Sequence, residues 1–66
     1  MFVMFKNIYE VIETNKALGV PIIHDEKKMT MWIPKSLIDN KKGWKKQKMI
    51  DVPDWFYDKK IDELFF

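Results

Sequence analysis

The side chains able to do covalent chemistry are few, and none has the company it needs. The only histidine, His24, stands beside Asp25 and Glu26, a trio that could hold a metal only weakly. There is no second histidine and no cysteine at ligand spacing, so no zinc-type donor set can form. The only serine, Ser36, follows Pro34-Lys35 and lacks a second partner to orient a base. Gly19 and Gly43 are too isolated to make a phosphate-cradling loop. The chain therefore reads as a non-enzyme, with no catalytic residue, no metal and no cofactor.

Binding chemistry is better represented. Lys41, Lys42, Lys45, Lys46 and Lys48 surround Trp44 within eight residues. On an exposed hairpin tip, lysines would follow phosphates and the indole would offer a stacking face, as single-stranded nucleic acid requires. The bland alternative is a solvated charged loop whose Trp44 folds back as a lid on the core. All 12 basic residues are lysine. A lysine is a point charge without the planar fork that reads guanine, so such binding would be weakly sequence-specific.

A second surface is written into the last third. Asp54, Asp58 and Asp62 recur at i, i+4, i+8, an acidic strip on one helix face. Like charges at that spacing cost about 0.2–0.5 kcal/mol per pair, so a basic surface, internal or foreign, is expected to compensate them. With Trp55 and Phe66 as apolar anchors, this strip would suit a stoichiometric inhibitor or adaptor of another protein. The bland alternative is that Asp54 caps the helix and the other acids are solvated.

Behind both surfaces lies an uneven charge. Residues 39–48 hold five lysines and one acid, residues 51–66 five acids and two lysines, and residues 1–38 five lysines and four acids. The net +2 thus hides a bipolar chain. Sixty-six residues allow one domain, 1–66, whose small core must lean on its 15% aromatic content or on a partner. A homodimer that buries the Leu64-Phe65-Phe66 ending is one such solution. The opening apolar run stops at Lys6, short of a signal core or a membrane span. Without cysteines, a reducing cytoplasm is the expected location.

Several elements must position these residues. Pro53 suits the first turn of a helix over about 54–64, with Tyr57, Ile61, Leu64 and Phe65 as its apolar stripe. Met29–Ile33 and Gln47–Val52 read as strands, and Asp39–Gly43 between them as a turn cluster. Ala17–Ile23 alternates, and its Pro21 demands an edge or a bulge. Trp32 and Trp55 are expected in the core. The first third is ambiguous. Phe2, Phe5, Tyr9 and Ile12 have helical spacing, whereas Ile8–Ile12 is rich in strand formers and Thr14-Asn15 makes a turn.

Three blocks carry a resemblance: Lys16-Ala17-Leu18-Gly19-Val20, Trp32-Ile33-Pro34-Lys35-Ser36-Leu37-Ile38, and Val52-Pro53-Asp54-Trp55-Phe56 with Lys59-Lys60. In order and spacing, over roughly residues 8–61, the chain resembles a loose group of short, mostly uncharacterised phage and prophage proteins. Their pattern runs KALLV, WIPKSQI, a charged hairpin, then a proline–tryptophan–leucine helix ending in KKGL. The resemblance implies a small, bent, mainly antiparallel β-sheet or partial barrel closed by one C-terminal helix. It favours strands in the first third and implies residence in a bacterial host. Leu37 stands where the group has glutamine, Gly19 replaces an aliphatic, and Ile61 replaces the terminal glycine, which lets the helix run on. The group has no agreed activity to carry over.

The expected protein is thus an α+β, non-catalytic binding module. Its leading partner is single-stranded nucleic acid, and its second a host protein held by Asp54, Trp55, Asp58, Asp62 and Phe66.

Overall fold

Alternation decides the longest pair of strands. Leu18 and Val20 of β3 (Ala17–His24) stand opposite Ile33 and Met31 of β4 (Lys27–Pro34), and all four side chains are fully buried. Each such burial stabilises by roughly 1.5–3 kcal/mol, which fixes the register against a one-residue slip. The strands join through Asp25 and Glu26, both at positive φ (48° and 68°). This is the twist of a two-residue primed turn, built here without its usual glycine. The computed structural model describes all 66 residues.

Three strands make the first sheet, in the order β2-β3-β4, with β2 (Ile12–Glu13) pairing only the start of β3. Thr14 closes that connection: its hydroxyl donates to the Ala17 carbonyl and accepts from the Ala17 amide. Because β2 stops opposite Gly19, the edge of β3 at Pro21 is free, as that proline requires. The second sheet pairs β1 (Phe2–Met4) with β5 (Met49–Asp51), and Val3 and Ile50 are buried across from one another. The first third is therefore strand, with a single 3₁₀ turn at Ile8–Glu10.

Two helices complete the chain, α1 (Trp44–Gln47) and α2 (Asp54–Phe65). Pro53 opens α2 from extended backbone, and its carbonyl accepts from Phe56 and Tyr57. Phe56 is buried, while Tyr57, Ile61 and Leu64 pack partly buried against the core. The fold is α+β, with two antiparallel sheets that do not close into a barrel and one C-terminal helix.

Three expectations are corrected. The lysine segment is no hairpin tip, because β4 and β5 belong to different sheets and the chain between them coils into turns and α1. Trp32 is 44% exposed, since the core-facing parity of β4 falls on Met31 and Ile33. Trp55 is 61% exposed, because its neighbour Phe56 takes the inward position on α2.

Candidate functional site

Trp44 is the keystone of the lysine segment rather than its ligand-binding face. It is 6% exposed and meets Phe5 edge-on, with ring centroids 6.0 Å apart. The turn before it is held by Asn40. The Asn40 amide donates to the Gln47 side chain (2.8 Å) and the Met49 carbonyl (2.7 Å), and its oxygen accepts from the Asp51 backbone. That side chain thereby covers the outer edge of β5 and reaches the end of α1, while the Asn40 backbone carbonyl accepts from Gly43 and Trp44 at its start. The helix ends at Lys48, in left-handed backbone at φ 56°.

With the indole buried, stacking at Trp44 is lost and the segment offers charge alone. Lys41, Lys42, Lys46 and Lys48 are exposed and make no ion pair. Lys45 is held: it lies over the Trp44 ring and reaches Glu13 at 3.3 Å. Lys35 approaches the other Glu13 oxygen at 2.9 Å. Hydrogen bonds from Lys35 and then Lys45 hold the Glu13 carboxyl below its usual range. This clasp was invisible in the sequence, where 32 positions separate Glu13 from Lys45.

The acidic residues are more coherently arranged. Asp54, Trp55, Asp58, Asp62 and Phe66 are all exposed. Trp55 and Phe66 are eleven positions apart, close to three full turns, so they share one face of α2 roughly 16 Å apart. Asp58 and Asp62 lie between them on that face beside the exposed Lys59, and none of the three makes an ion pair. Asp54 is not free, nor does it cap the helix: the Met1 amino group donates to its carboxylate at 2.9 Å. That hydrogen bond raises the amino group above its ordinary pKa. Glu63 is matched by Lys60 at 3.2 Å. The compensation expected for the strip is thus partly internal, and it bypasses Asp58 and Asp62.

His24 packs against the end of α2, with its ring 5.1 Å from Phe65 and 5.3 Å from Phe66. This pins the helix to the β3–β4 turn and gives the lone histidine a packing role. No group of three or more His, Cys, Asp or Glu side chains comes together in metal-holding geometry. No helix is long and apolar enough to cross a membrane.

The chain matches no protein-family model, no curated protein and no solved structure.

Proposed function

We propose that this protein is a non-catalytic binding module that docks on a basic protein surface through the outer face of α2. One observation carries the reading: Trp55, Asp58, Asp62 and Phe66 share a solvent-facing stripe while the opposite face of the helix is seated in the core. Exposed aromatics flanking unpaired acids supply what a protein hot spot uses, a large apolar contact bounded by charges that select the partner. Asp58 and Asp62 repel each other in the free protein, so a basic partner relieves a cost as well as adding contacts. A stoichiometric inhibitor or adaptor acts in this way, by occupancy alone.

Charge reversal tests it. Asp58→Lys and Trp55→Ala should each abolish capture of the partner while the circular dichroism stays unchanged and the denaturation midpoint does not fall, Asp58→Lys raising it slightly by ending the repulsion with Asp62. Retained capture by both variants rejects the reading.

The second reading, single-stranded nucleic acid at Lys41, Lys42, Lys45, Lys46 and Lys48, is supported by the four lysines there that lack a carboxylate partner. In this form it rests on phosphate contacts without base stacking, so affinity should fall steeply with salt and be indifferent to sequence. Anisotropy of a labelled oligothymidylate across a salt series tests it, and absence of binding at low salt removes it.

A further inference from the structure

The two sheets approach one another along an open seam. Val52 donates to the Met1 carbonyl and Phe5 donates to the Lys48 carbonyl, with Val3 opposite Ile50 between them. Antiparallel pairs alternate between bonded and unbonded positions. Residues 1, 3 and 5 therefore direct their backbone groups at β5, and the N–H and C=O of Phe2 and Met4 point to an edge that no strand covers. β3 presents a matching edge. Lys35 donates to Lys16 and Thr14 donates to Ala17, so even positions bond β4 and odd positions face the side of β2. Pairing with β2 ends at Gly19, which leaves Pro21 and Ile23 uncovered.

Both edges line one cleft. A cavity of about 340 Å³ lies between Met4, Pro21 and Ile23, with Lys6, Glu10 and Lys28 also on its wall. An adjoining cavity of about 220 Å³ shares Met4, Pro21 and Ile23 and extends to Phe2 and Tyr57. Met4 and Ile23 are 69% and 71% exposed, large for apolar side chains on facing strands. Pro21 has no N–H to donate across the gap, which helps keep β1 and β3 from zipping together.

We propose that this seam accepts an extended peptide segment of a partner protein, added as a strand along β1. Its apolar side chains would alternate against Met4 and Ile23, and a carboxylate would lie beside Lys6 and Lys28. The uncovered backbone groups of Phe2 and Met4 ask for another extended backbone, and strand addition supplies it. Charge chooses the end group: Lys6 and Lys28 make no ion pair, and Glu10 is the only acid on the cavity wall. Trp55, Asp58, Asp62 and Phe66 line neither cavity, and the seam does not depend on what binds them.

The experiment follows amide hydrogen exchange in the full chain at fixed low concentration. The probes are capped peptides of alternating valine and threonine with two aspartates at either end, and the same peptides N-methylated on alternate amides. An unmethylated peptide should slow exchange at Phe2, Met4 and Ile23 by roughly tenfold or more when near saturation. The methylated peptides should not. Lys6→Glu combined with Lys28→Glu should weaken the aspartate peptide and favour one ending in two lysines. Unchanged exchange at millimolar peptide, or equal protection by the methylated peptide, overturns the proposal. So does protection that grows with protein concentration alone, which would put a second copy of this chain in the seam.

Discussion

The indole of Trp32 lies over Gly19: a methyl group added at that glycine would stand 2.9 Å from the ring carbons Cζ3 and Cη2. The two residues are cross-strand partners in β3 and β4, and Ile12 of β2 is the next residue along the same row. The ring replaces the side chain that Gly19 lacks and shields a stretch of backbone that would otherwise face water. Glycine is required here for space, since its φ is not positive. This pairing predicts an inversion of sign. Gly19→Ala in the natural protein should destabilise by about 1–3 kcal/mol through overpacking. In a Trp32→Ala background the same change should be neutral or stabilising, by about 0.5–1 kcal/mol, because alanine suits a strand better than glycine. Urea denaturation of the four proteins measures the cycle, and additive effects would contradict the contact.

Trp44→Ala should cost about 3–5 kcal/mol, enough to unfold much of a domain this small. Lys42→Ala and Lys46→Ala, exposed and unpaired, should stay within about 0.5 kcal/mol of the parent. Denaturation midpoints compare the three. A mild effect at Trp44 would mean that the indole leaves the core readily, which would restore it as a stacking face.

The Glu13 clasp makes stability depend on acid. The carboxyl is held below its usual range by Lys35 and Lys45, so its contribution is fully present above the ordinary value of 4.5 and is lost as pH falls through the lowered one. The wild type and Glu13→Gln should therefore differ in urea midpoint at pH 7 and converge in strong acid. Added salt should shrink the difference at pH 7, because the pair is exposed. Parallel pH profiles would show that the clasp does not persist in solution.

Glu26 at φ 68° invites a simple gain. Left-handed backbone costs a side-chain-bearing residue about 1–2 kcal/mol, and glycine nothing. Glu26→Gly should raise the midpoint, with Ile22 and His24 amides protected longer against exchange. A loss of stability would show that the Glu26 side chain contributes something beyond the turn.

The β3–β4 hairpin and α2 were legible because they follow period and punctuation. Alternation over Ala17–Ile23, the run at Met29–Ile33 and the proline before Asp54 each have one good solution. Trp32 and Trp55, expected in the core, stand exposed for a shared reason. Trp32 and Trp55 sit one position from Ile33 and Phe56, and a step of one residue changes the face on either a strand or a helix. Aromatic content argues for burial in general, whereas neighbours decide which ring goes in. Trp44 stays open in the sequence between a stacking face and a lid on the core, because β5 pairs with β1 at the far end of the chain and no local pattern announces that pairing. The α2 stripe was readable as spacing. The loss of Asp54 to the Met1 amino group was not, since the contact spans 53 positions.

Site-specific photocrosslinking in the cells that carry this protein asks whether the outer face of α2 binds a protein partner. A benzophenone amino acid at position 55 should yield one dominant protein adduct. The same probe at position 46, among the lysines, should yield none, and adding Asp58→Lys should erase the adduct from position 55. Adducts arising only from position 46, or nucleic acid recovered there with nothing at position 55, would contradict the account.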